Sequence, residues 1–165
     1  MAKPNALVKI SGNLLQNQKV LNWLKELCGQ YFLAIVTGGG EDINKVFRER
    51  GFEINFSPMG RITKNLEERQ VARDTLEINQ ALMQDLLDEN GIEARVEIPI
   101  RYFATVLCPE NGDILVLDVY NGYDKIFILT LESKVEEKRL WLKQLAACFQ
   151  HITKGKLDKI EVIGF

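Results

Sequence analysis

The sequence predicts a three-layer α/β/α sandwich built around a mainly parallel sheet, and three observations predict it. Two apolar runs near the N-terminus, residues 6–10 and 31–36, each end in small residues, and a helical pattern begins a few residues later. The second run is continuous rather than alternating, as in parallel strands buried on both faces. Further along, amphipathic helical stretches alternate with short apolar runs, the rhythm of strands joined through helices in a layered α/β fold.

The elements follow in order. Residues 6–10 read as a strand. Residues 17–28 fit a helix with Val20, Leu21, Leu24 and Leu27 on one face, stopped by Gly29. The strand at 31–36 leads through Gly38-Gly39-Gly40 into a helix over 41–50, with Glu41 and Asp42 in its first turn and Gly51 at its end. Residues 52–63, with Pro58 and Gly60, read as loop. A long helix is expected over 64–89, with Leu66, Val71, Leu76, Ala81, Leu82, Leu86 and Leu87 near helical spacing and Asn90-Gly91 closing it. Residues 93–98 form a strand bounded by Pro99. Residues 109–113 are a turn. The run 114–120 is strand or helix by periodicity alone. Residues 125–130 read as a buried strand. Residues 135–149 read as an amphipathic helix with Leu140, Leu142, Leu145, Ala146 and Phe149 inward, and 160–163 as a terminal strand.

Size and composition bound the rest. A chain of 165 residues suits one compact domain, 1–165, with one sizeable core. With 46% apolar and 27% charged residues it has the make-up of a soluble globular protein. A net charge of −2 argues against a non-specific grip on nucleic acid or an anionic membrane, so any anion site must be local. No apolar run approaches the roughly 20 residues of a membrane span, and the N-terminus leads straight into a strand without a signal-peptide pattern. Cys28, Cys108 and Cys148 are odd in number, far apart and set among apolar neighbours. They are expected to be buried, unpaired thiols of a cytoplasmic protein, and their spacing fits no metal site.

The two glycine turns carry the chemical signal. In Leu7-Val8-Lys9-Ile10-Ser11-Gly12 and in Ile35-Val36-Thr37-Gly38-Gly39-Gly40, glycine lets backbone N–H groups come close to a ligand. A following helix would add its positive dipole end. Turns on neighbouring parallel strands would aim both donor clusters at one point, with Lys9 beside them, an arrangement suited to phosphate. Against this stands the plain reading of a strand-end lysine and a tight turn. His151, the one histidine, reads as a surface or capping residue, and Glu67, Glu68, Arg69 and Arg73 as a solvated helix face.

Several segments in the same order resemble the amino acid kinase family, which includes acetylglutamate, uridylate and carbamate kinases. They are Lys9 to Leu15, Val36 to Gly40, Gly60-Arg61-Ile62-Thr63, Asn79 to Leu82 with Gly91-Ile92, Asn111-Gly112-Asp113, and Lys125 to Thr130. The resemblance spans about residues 6–131. It implies an ATP-dependent small-molecule kinase, with residues to about 100 on the acceptor side and 101–165 as a reduced nucleotide side. Lys9 and Asp113 would be catalytic, Lys9 on the moving phosphoryl group and Asp113 orienting Lys9 or the second-lobe lysine. Gly12, Thr130, Lys156 and Lys159 would hold ATP with its Mg²⁺. Gly38, Gly39, Gly40, Arg61 and Asn111 would hold a small anionic metabolite bearing carboxylate, carbamate or phosphate. The resemblance also implies a homo-oligomer, a dimer paired along helix 64–89.

The departures are specific. Leu131 stands where the family has an aspartate after Leu-Thr, and the later Gly-Gly-Met-x-x-Lys segment has no copy beyond a loose echo at 153–159. These leave two alternatives beside the kinase: a non-catalytic ligand-binding or regulatory relative, and a subunit completed by a partner.

Overall fold

Five parallel strands make the central sheet, in the order β5-β2-β1-β8-β9. The computed structural model describes residues 2–57, 59–154 and 156–165. The strands are β1 (Asn5–Ile10), β2 (Phe32–Thr37), β5 (Ala94–Glu97), β8 (Lys125–Thr130) and β9 (Ile160–Gly164). The helices are α1 (Gln18–Cys28), α2 (Gly40–Glu49), α3 (Leu66–Glu89), α4 (Gly112–Asp118), α5 (Val135–Cys148) and the single-turn α6 (Gln150–Thr153). Two hairpins stand apart from the sheet, β3 (Asn55–Ser57) with β4 (Gly60–Ile62), and β6 (Ile100–Phe103) with β7 (Val106–Pro109).

The register of the central strands assigns the layers. Side chains alternate across a strand, so Ala6, Val8 and Ile10 face one side of β1 and Leu7 and Lys9 the other. On the first side they pack with Ile35, Phe127 and Leu129 under α1 and the C-terminal half of α3, through Val20, Leu24, Met83 and Leu87. On the second side Leu7 joins Val36, Ile126, Ile128 and Val162 under α4 and α5, through Val116 and Leu142. The result is the α/β/α sandwich that the apolar runs predict. Each fully buried aliphatic side chain contributes about 1.5–3 kcal/mol, so the two faces of β1 and β8 hold most of the stabilisation. A smaller cluster of Ile43, Phe47, Val71, Ala72 and Leu76 fastens α2 to the N-terminal half of α3, beyond the C-terminal ends of the strands.

Helix starts follow side-chain caps. Asn17, Asn65 and Asn111 each accept a hydrogen bond from a backbone N–H in the first turn of α1, α3 and α4. At α3 the bonding is reciprocal in spirit: Asn65 accepts from the Glu68 N–H at 2.9 Å, and the Glu68 carboxylate accepts from the Lys64 N–H at 2.6 Å. Gly51 and Gly91 follow α2 and α3 at φ of 73° and 65°, the left-handed conformation that ends a helix at little cost for glycine.

Several expectations need correcting. The segment 52–63, read as loop, contains the β3–β4 hairpin; Pro58 lies outside the described residues. The β6–β7 hairpin is absent from the sequence reading, because its two-residue turn is Ala104-Thr105, both left-handed and neither the usual Asn or Gly. The run 114–120, open between strand and helix, is α4 and a following 3-10 turn. Leu66, Ala81 and Leu82, read at helical spacing in α3, and Leu140 of α5 are exposed, while Met83, Thr75 and Asn79 take the buried stripe of α3. The cysteines are unpaired, but Cys108 and Cys148 are exposed and Cys28 is half-buried. Among the described residues, no helix is long and apolar enough to cross a membrane.

Candidate functional site

Strand order reverses between β1 and β8. The chain steps from β1 through β2 to β5 in one direction, and from β8 to β9 in the other. In open parallel sheets, ligands sit outside the carboxyl ends of the strands at such a reversal. There the structure has a cleft of about 690 Å³, within the range of small-molecule sites.

The first wall is the pair of glycine turns. The Gly38 N–H donates to the Ile10 carbonyl at 2.8 Å, and Ser11 N–H to the Leu129 carbonyl at 3.1 Å, so the ends of β1, β2 and β8 are tied together. A Cβ on Gly39 would lie 2.9 Å from Leu76 Cδ2, whereas one on Gly40 would meet nothing within 4 Å. The glycine at 39 therefore serves close packing against α3. Gly12, Gly38, Gly39 and Gly40 all line the cleft.

The floor is a buried charge cluster. Lys9 takes the last inward position of β1 on the α4/α5 side. Its Nζ lies 3.5 Å from Asp113 Oδ1, an ion-pair contact longer than a hydrogen bond, while Lys138 Nζ donates to Asp113 Oδ2 at 2.7 Å. The side chains of Lys9, Asp113 and Lys138 are 10%, 4% and 21% exposed. Burial pulls the Lys9 ammonium below its usual range; Asp113 opposes this and Lys138 adds to it. Burial pushes the Asp113 carboxyl up, but Lys9 and Lys138 together hold it below the usual carboxylate range. Asp113 reaches this place because Asn111 caps α4, and because Gly112 leaves room for the Lys9 stem, whose Cε lies 3.4 Å from where a Cβ would be.

The other wall carries Arg61 on β4. Its guanidinium lies between the Phe47 and Phe56 rings, 4.9 and 4.8 Å from their centroids. Its Nη2 donates to the Gly40 carbonyl at 3.0 Å and to Asn44 Oδ1 at 2.7 Å, and its Nη1 is buried without a hydrogen-bond partner. Partial burial lowers the basicity of this group, with Glu41 opposing. Thr130, buried at the end of β8, also lines the cleft, as does Asn111.

Of the residues singled out in the sequence, Lys9, Gly12, Gly38, Gly39, Gly40, Arg61, Asn111, Asp113 and Thr130 converge on this cleft. Lys156 and Lys159 do not line it. Lys156 is exposed, and Lys159 donates to the Tyr123 carbonyl at 2.9 Å over the Tyr120 ring. The sequence reading missed Lys138, Lys134 and Trp141, all on or just before α5. A signal for Lys138 was present: it precedes Leu142 and Leu145 by four and seven residues, a charge on an otherwise apolar stripe. Among the described residues, no group of three His, Cys, Asp or Glu side chains could hold a metal ion.

Fold and site define a parallel α/β sandwich with a mixed-charge cleft at its strand-order reversal. No protein-family model and no curated protein matches the sequence. Solved structures do match. The protein smu.665 from Streptococcus mutans superposes with a TM-score of 0.71 at 16% identity, over 95% of this chain and 93% of that one. N-acetylglutamate synthase from Neisseria gonorrhoeae, complexed with coenzyme A and L-arginine, gives 0.62 at 11% identity, over 98% of this chain and 56% of that chain. The same synthase complexed with coenzyme A and N-acetyl-glutamate gives 0.59 at 12%, over 98% and 54%. This chain thus spans about half the length of the synthase.

These findings overturn the amino acid kinase resemblance, and with it the kinase, phosphotransferase, nucleotide-binding and ATP-binding expectations. The named structures are a synthase in complex with coenzyme A and a protein without a stated activity. The physical reason lies in the motifs. Glycines in strand-to-helix turns and an Asn-Gly-Asp helix cap are what a parallel sheet uses to turn its chain. They report the architecture rather than the reaction.

Proposed function

We propose that the cleft binds a small carboxylate-bearing metabolite of the acylated amino acid kind. The observation that carries this reading is the floor cluster, where two ammonium groups share one buried carboxylate. Within that cluster one positive charge is left over and an anion would compensate it, while Glu41, Glu110 and Glu137 line the same cleft. Arg61, which also lines the cleft, supplies a second cation, held against the Phe47 and Phe56 rings. The solved synthase complexes support the ligand class, since this chain superposes on about half of a protein complexed with coenzyme A and with L-arginine or N-acetyl-glutamate.

Isothermal titration with N-acetyl-L-glutamate, L-arginine and coenzyme A tests the reading. The expected result is binding of an acidic ligand that is lost in Lys9→Met and weakened in Arg61→Ala. No heat from any of the three at millimolar concentration overturns it.

The coenzyme A named with both synthase structures favours a second reading, acyl transfer from a coenzyme A thioester to an amino acid. Release of free thiol from acetyl-coenzyme A, dependent on an added amino acid, tests it. The three unpaired cysteines support a reducing compartment such as the cytoplasm. Exposed Ile78 and Leu82 on α3 support pairing of two copies along that helix.

A further inference from the structure

Asn79 is a polar residue in the buried stripe of α3, between Leu76 and Met83. An amide buried there is costly unless it is hydrogen-bonded. Its Nδ2 donates to the Gly38 carbonyl at 3.2 Å and to Asp42 Oδ2 at 2.9 Å. Gly38 belongs to the turn after β2, and Asp42 to the first turn of α2. The same Asp42 oxygen lies 3.4 Å from where a Cβ on Gly12 would be, so it lies beside the turn after β1. Asn79 Nδ2 itself lies 3.1 Å from the corresponding point on Gly39. One amide from a distant helix therefore bonds the second glycine turn directly and holds the carboxylate that lies beside the first. The neighbouring buried Thr75 behaves differently, since its hydroxyl donates only within its own helix, to the Val71 carbonyl at 2.8 Å.

We infer that Asn79 is the positioning residue of the cleft: it fixes the second glycine turn and the Asp42 carboxylate beside the first, and thereby the shape of the wall the two turns form. Asn79 itself does not line the cleft. The inference rests on the proposed binding function only for its consequence, a change in affinity; its structural content stands alone.

The test separates the two. The ¹H–¹⁵N spectra of the wild type, Asn79→Leu, Asn79→Asp and Thr75→Val are compared, together with N-acetyl-L-glutamate and coenzyme A affinities. Asn79→Leu keeps the bulk and loses the donor; Asn79→Asp keeps the shape and sets a second carboxylate beside Asp42. Both are expected to move the amide resonances of Gly12, Gly38 and Gly39 and to weaken binding about tenfold, the equivalent of one buried hydrogen bond. Thr75→Val, equally buried on the same helix, should leave those resonances and the affinity in place whatever it does to thermal stability. Glycine resonances unmoved in both Asn79 variants, or moved as much by Thr75→Val, would overturn the inference. If the wild type binds neither probe while the Asn79 variants shift the glycine amides, the positioning role stands and the binding reading fails.

Discussion

Replacing Asp113 by asparagine removes one charge from the cleft floor while keeping its shape. The side chain is 4% exposed and sits between Lys9 at 3.5 Å and Lys138 at 2.7 Å. Removing one partner of a buried ion pair costs about 3–5 kcal/mol, because a charge is left unpaired. Two features place the cost at the low end. Lys138 is 21% exposed and can swing to water, and the asparagine oxygen can still accept one hydrogen bond. Lys9, 10% exposed at the end of a central strand, cannot escape. We expect a loss of about 3 kcal/mol at neutral pH, which for a chain of this size lowers Tm by roughly 6–12 °C. Denaturant unfolding at pH 7 measures it. The pH dependence supplies the sign. The Asp113 carboxyl titrates below its usual value in the folded protein. Its contribution is therefore complete above the unfolded value of 3.8 and is lost as pH falls through the lower folded value. The gap between wild type and variant should be full at pH 7 and close on acidification below pH 3.8. Adding Lys9→Met to Asp113→Asn should recover part of the loss, since the stranded charge is gone. A loss under about 1 kcal/mol, or a gap that does not close in acid, would show that the cluster is solvated and refute the electrostatic argument.

Three further expectations follow from packing and exposure. Gly39→Ala pushes a methyl group against Leu76 and should cost about 1–3 kcal/mol, whereas Gly40→Ala enters open space in the first turn of α2 and should gain about 0.4–1 kcal/mol; urea midpoints of the two variants compare them. Cys108 and Cys148 should react with a thiol reagent in the native protein and Cys28 more slowly, read by mass spectrometry of labelled peptides. If two copies pair along α3, Ile78→Lys with Leu82→Lys should convert a dimer to a monomer in analytical ultracentrifugation; a wild-type monomer would remove that proposal.

The periodicity of the chain determined most of the fold. Residues 6–10, 31–36 and 125–130 are strands because continuous apolar runs of that length suit a sheet buried on both faces. Val20, Leu21, Leu24 and Leu27 turn inward because their spacing puts them on one helix face. The glycine turns announced where a ligand could be approached, since close approach is a local backbone property. What those turns serve was not local. The same residues satisfied a kinase pattern and belong to a fold shared with an N-acetylglutamate synthase. Only the tertiary structure added Lys138 to Lys9 and Asp113, since a buried charge needs a partner and the partner lies wherever packing puts it. It also set Asn79 of α3 behind the glycine turns, and clamped Arg61 between Phe47 and Phe56. It exposed Leu66 and Leu82 while burying Met83 and Asn79, because helix spacing states which residues share a face but not which face meets the core.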